Sequence, residues 1–218
     1  MASGKRRGGK KRSQKKRRDE SQQEAAPLMP FSDPRAMERV TQDLGRLLTE
    51  REFGSIEEAN AFLENMLREG GGKLPSAPAP TTPLERAQDL IYEAFETESS
   101  RKRVQLAKKA LKVSPDCADA YVLLAEEDAG SLEEARELYQ KGVEAGERAL
   151  GRETFEEEAG HFWGILETRP YMRARQGLAV CLWELGEREE AIEHYQEMLD
   201  LNPVLVRILL RQLSLSWK

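Results

Sequence analysis

Apolar residues begin to recur at spacings of three and four soon after Phe31. Ser32-Asp33-Pro34 reads as a helix start, with Pro tolerated in the first turn. Met37, Val40, Leu44, Leu47 and Leu48 then form the apolar face of an amphipathic helix. Gly54-Ser55 ends that helix and starts another. Ser55-Ile56-Glu57-Glu58 has the form of a capping box, and Ile56, Ala59, Phe62, Leu63 and Met66 make one face behind it. The pattern predicts a helical hairpin over 31–69. Gly70-Gly71-Gly72 and the prolines at 75, 78, 80 and 83 then make a linker over 70–83, flexible at its start and extended at its end.

Residues 84–203 read as nearly continuous helix. The breaks are Ser114-Pro115, Gly130-Ser131, Gly151, Arg169-Pro170, Gly186 and Asn202-Pro203. No stretch alternates with a period of two, so the expected class is all-α, with strand content near zero.

This helical stretch repeats itself. In 172–205, Leu178-Ala179 and Leu182 are followed by a turn at Gly186, then Ala191-x3-Tyr195 and Pro203. In 118–149, Tyr121-x2-Leu124-Ala125 and Ala135-x3-Tyr139 follow the same scheme. A degenerate unit covers 84–117 through Leu90, Ile91, Ala94, Ala107, Ala110 and Pro115. Small residues let paired helices approach, large ones fill the grooves beside them, and proline stops the second helix. With a period of about 34 residues, these units resemble the tetratricopeptide-repeat (TPR) superfamily. Arg175 departs from its pattern, standing where an aromatic is usual. An insertion at 150–171, rich in aromatics, separates the last two units. Together with His161 to Arg175 it is similar to a group of bacterial TPR proteins, themselves distantly similar to the suppressor-of-tumorigenicity family. The resemblance implies a helical-hairpin solenoid in a bacterial cytoplasm, and no reaction. A solenoid usually ends in a capping helix. Val204 to Lys218 is expected either to fold back as a crude cap or to be cut short.

Charge changes the picture at the N-terminus. Lys5, Arg6, Arg7, Lys10, Lys11, Arg12, Lys15, Lys16, Arg17 and Arg18 give Met1–Arg18 a charge of +10 with no acidic residue, although the 218-residue chain is −5 overall. Segment 1–30 is expected to be disordered in isolation. The tail makes weak nucleic-acid or polyanion binding an expectation. It has no interleaved aromatics, so base stacking is not expected. It has no apolar core, so it is not a secretory signal, and no run approaches the roughly 18 apolar residues of a membrane span. A cytoplasmic protein with reduced thiols is expected.

Catalytic chemistry finds little support. Gly4 to Lys11 nearly spells a phosphate-binding loop but lacks the Ser/Thr and the preceding strand. Glu158-x-x-His161 is one half of a di-iron pattern whose second half is missing, and Cys117 and Cys181 stand far apart without a Cys-x-x-Cys pair. Glu153, Glu156, Glu157 and Glu158 read as a solvated helix face. No metal, cofactor, small-molecule substrate or reaction is expected.

A protein-interaction scaffold is the expected function, with a peptide or helix of another protein held in the groove lined by the first helix of each repeat. The expected groove set is Gln88, Tyr92, Asp119, Val122, Glu126, Arg173, Gln176, Val180 and Trp183. It lacks the Lys/Asn pattern of TPR domains that clamp a chaperone C-terminal carboxylate. In the insertion, His161, Phe162, Trp163 and Arg169 offer either a pocket with an Arg rim or a core plug. The alternative function is a nucleic-acid-associated adaptor that binds through the tail.

Overall fold

The computed structural model describes residues 33, 35–49, 51–71 and 75–203. These residues are helical, without a strand among them: α1 (Ala36–Thr49), α2 (Ile56–Glu69), α3 (Pro83–Phe95), α4 (Ser100–Val113), α5 (Ala118–Glu127), α6 (Leu132–Glu157), α7 (Arg169–Leu185) and α8 (Arg188–Leu201). A 3-10 turn (Phe162–Gly164) precedes α7. The basic residues Lys5 to Arg18 and the segment Val204–Lys218 lie outside the described residues.

One capping device starts three of the helices. Ser55, Thr82 and Ser131 each accept the backbone N–H three residues on, from Glu58 (3.2 Å), Glu85 (3.1 Å) and Glu134 (3.2 Å). Each Glu carboxylate reaches back to accept the N–H preceding the cap, on Gly54 (2.9 Å), Thr81 (2.7 Å) and Gly130 (2.8 Å). Two otherwise free donors are satisfied at each end. Asp33 starts α1, accepting the Arg35 N–H at 2.9 Å.

From α3 onward the helices pair as hairpins, α3/α4, α5/α6 and α7/α8, and each hairpin stacks on the next. The first core joins Ile91, Phe95, Leu106, Ala110 and Leu123, and reaches Ala36 of α1. The second joins Phe162, Tyr171, Met172, Leu178, Leu182 and Met198. Burying each large apolar side chain contributes about 1.5–3 kcal/mol before entropy is counted. Ala179 and Ala191 are fully buried where α7 meets α8. Gly146 plays the same part between α6 and α7: a Cβ there would stand 2.8 Å from Tyr171 Cβ, so only glycine permits the approach.

The insertion differs from the expected layout. α6 runs on to Glu157 through a kink at Gly151, whose φ of 68° is a left-handed conformation that glycine adopts without strain. The helix continues because Phe155 beyond the kink packs on Phe162 and Tyr171, with ring centroids 5.1 Å away in each case. The buried Thr168 hydroxyl is held against the carbonyls of Phe162 and Ile165. This fixes the turn that leads into α7. Arg175, the misfit in the repeat pattern, stacks its guanidinium 5.1 Å from the Tyr171 ring and pairs with Glu147 and Glu197.

Candidate functional site

The first helices of the three hairpins, α3, α5 and α7, share one face. At its centre lies a buried polar node. Asp119 on α5 has no exposed surface. Its carboxylate accepts from Gln88 Nε2 of α3 (2.9 Å) and from Arg173 of α7 through Nε (2.8 Å) and Nη2 (2.7 Å). A lone buried carboxylate would be strongly unfavourable. The two-pronged guanidinium supplies the countercharge in matching geometry. Burial opposes the charge of Arg173, but Asp119 and Glu38 outweigh it and hold the guanidinium protonated. Burial, with Asp119 adding to it, pushes the Tyr92 phenol and the Cys117 thiol well above their ordinary ranges. Neither is a nucleophile at neutral pH.

The remaining donors of Arg173 reach a different element. Glu38 of α1 accepts from Arg173 Nη1 (2.8 Å) and Nη2 (3.0 Å) and from Arg169 Nη1 (3.3 Å). Around this central acid, α1 and the Arg35 just before it offer bases to the acidic rim of the same face. Arg35 pairs with Glu126 of α5 (2.7 Å), Arg39 with Glu96 at the end of α3 (3.1 Å) and Arg46 with Asp89 of α3 (3.0 Å). Arg35 also lies 4.3 Å from the Phe95 ring centroid. Thus α1 lies against the shared face with its charged stripe inward, while Met37 and Val40 of its apolar face stay 50% and 42% exposed. The charged stripe turns inward because the receiving face is itself charged.

Beyond the α1 contacts the groove stays open. A cavity of about 620 Å³ is bounded by Val122, Ala125, Tyr139, Trp163, Val180 and Cys181, with Arg35, Glu126, Arg173 and Gln176 at its edges. Val180 is 45% exposed.

The expected groove residues therefore separate. Glu126, Gln176 and Val180 line the open stretch. Trp183 is exposed farther along α7, with Arg188 5.2 Å from its ring. Gln88, Tyr92, Asp119 and Val122 are buried, and the first three belong to the node and its surroundings rather than to an open surface. Arg173 is already paired on two sides. In the insertion, Phe162 is a core plug with no exposed surface and His161 is exposed on the outside. Trp163 lines the groove, and Arg169 donates to its carbonyl at 3.0 Å as well as pairing with Glu38. Both cysteines are buried free thiols. Among the described residues no cluster of His, Cys, Asp and Glu could hold a metal ion, and no helix is long and apolar enough to cross a membrane.

Sequence reasoning missed Arg35, Glu38, Arg39 and Arg46. Their signal was present: the four charges recur at helical spacing on the side of the helix opposite Met37, Val40, Leu44 and Leu48.

Comparison with known proteins places this geometry in a family. The family model described as ST7 protein matches residues 80–212, which include α3, α5 and α7 but neither α1 nor α2. The chain is 27% identical over 128 residues to suppressor of tumorigenicity 7 protein-like of Bos taurus, covering 57% of this chain and 23% of that protein. It is 29% identical over 123 residues to suppressor of tumorigenicity 7 protein of Macaca fascicularis (52% of this chain, 23% of that protein) and of Mus musculus (52% and 21%). The chain thus spans less than a quarter of the length of these relatives. No solved structure matches it. The expected membership of the TPR superfamily and the expected bacterial relatives are overturned: the family model is ST7 and these relatives are mammalian. Pairs of helices with small residues at their crossings are enough to produce the spacing seen, so the repeat pattern reports hairpin packing. The chain belongs to the ST7 protein family.

Proposed function

We propose that this chain is a non-enzymatic protein-interaction scaffold that holds a segment of another protein between α5 and α7. The observation that carries the reading is the open groove: an apolar floor of Val122, Ala125, Val180 and Trp163 inside a rim of Arg35, Glu126 and Arg173. Apolar anchors seated in a concave site and bounded by charge are the usual basis of peptide recognition. A photo-reactive amino acid placed at Val180 in the full chain, in cells, tests it. The control position is Ile192 on α8, exposed to a similar degree. The expected result is a discrete cross-linked protein from position 180 and none from 192, abolished by Gln176→Trp, which fills the groove. Cross-links of equal pattern from both positions, or none from 180, would sink the reading.

A second reading attaches to Met1–Arg18, whose ten basic residues favour an adaptor tethered to nucleic acid or another polyanion.

A further inference from the structure

We propose that the charged face of α3, α5 and α7 receives a helix of base–acid–base pattern from another protein, and that α1 is its resident competitor. The inference goes beyond the scaffold reading, from the open groove to the neighbouring face that α1 covers. The receiving face presents acid, base and acid in turn: Glu126, then Arg169 and Arg173, then Glu96 and Asp89. Arg35 and, within α1, Glu38, Arg39 and Arg46 answer it. A partner helix must reproduce that order, because a base opposite Arg173 or an acid opposite Asp89 or Glu96 would be repelled.

The resident helix is built to be displaced. Only Ala36 and Leu47 of α1 are buried, and Met37 and Val40 of its apolar face remain exposed. Its hold comes largely from ion pairs: the outer ones, such as Arg39–Glu96, stand in solvent and are individually weak and screened by salt, while Glu38–Arg173 at the centre is mostly covered and is the one that must be broken. The tether supplies the rest, since α2 and the linker after it keep α1 at a high effective concentration near the face. The helices that build the face fall inside the ST7 match and α1 falls outside it.

The probe is a fluorescent peptide of residues 33–50, titrated into the full chain by anisotropy in low salt. Wild type should bind it weakly, because α1 already fills the face. The full-length Glu38→Arg chain, whose α1 is repelled by Arg169 and Arg173, should bind it roughly tenfold tighter. A peptide carrying Glu38→Arg should not bind, and moderate salt should narrow the difference by weakening the outer pairs. Arg46→Glu, which sets an acid against Asp89 at the far end of α1, should act in the same direction if Glu38→Arg impairs folding by circular dichroism. Equal peptide affinity in wild type and both variants would overturn the proposal. So would unchanged hydrogen exchange over 36–49 in the variants. Val180 lies outside the α1 contacts, so its cross-linking result stands or falls independently.

Discussion

Asp119 and Arg173 form the pair on which three hairpins and α1 converge, and their burial makes the energetics one-sided. Replacing Arg173 with Met strands a fully buried carboxylate and leaves Glu38 with Arg169 alone. Removing one partner of a buried pair costs about 3–5 kcal/mol, whereas replacing both by apolar residues is often close to neutral. Urea denaturation should therefore find Arg173→Met and Asp119→Leu each severely destabilised, and the double variant more stable than either. A double variant that simply adds the two losses would show that the pair is not coupled.

At the scale of elements, α7 and α8 carry a pH dependence. His194 of α8 is half-buried with its Nδ1 3.2 Å from Arg175 Nη1. Burial first, and the Arg175 charge second, lower its pKa below the ordinary 6.5. The unfolded chain then takes up the proton more readily than the fold does. Stability is full above about pH 6.5 and falls as pH drops from there through the folded value. Replacing His194 with Asn should flatten the stability profile between neutral and mildly acid pH; identical slopes would refute the assignment. The same elements show what was legible in the sequence. Helix period, the Ser55-x-x-Glu58 cap and the small residues at crossings are local signals, and they marked the helices, the start of α2 and the pairing from α3 onward, while the equivalent caps at Thr82 and Ser131 went unread. The site was only half legible. Glu126, Gln176 and Val180 follow from knowing which helices line the shared face. The burial of Asp119 and Gln88, and the arrival of α1 with its charged stripe inward, depend on residues 54 and 135 positions apart. No local period encodes which of two stripes a helix will dock.

On the scale of the whole molecule, charge is unevenly placed, and the two functional readings divide along it. The tail carries +10, while the remaining residues hold 24 basic against 39 acidic, a net of −15. If the tail engages phosphates, affinity for a single-stranded nucleic acid should fall with rising salt, with a slope of about −0.7 per phosphate neutralised. Deleting residues 1–18 should then abolish both the binding and its salt dependence. Binding that persists at the same slope after the deletion would assign it to another surface.

The two buried thiols make the protein its own stopwatch. These are the only cysteines in the chain, and they are shut away in different places. Cys117 lies between α3 and α5, its sulfur 3.7 Å from Gln88 Oε1, and can be alkylated only when those helices part. Cys181 is part of the groove wall. A small alkylating reagent followed by mass spectrometry would therefore give two clocks in one reaction tube: one for opening of the central node, one for breathing of the groove. Their ratio would show, without any engineered label, whether an added partner steadies the groove alone or the whole stack.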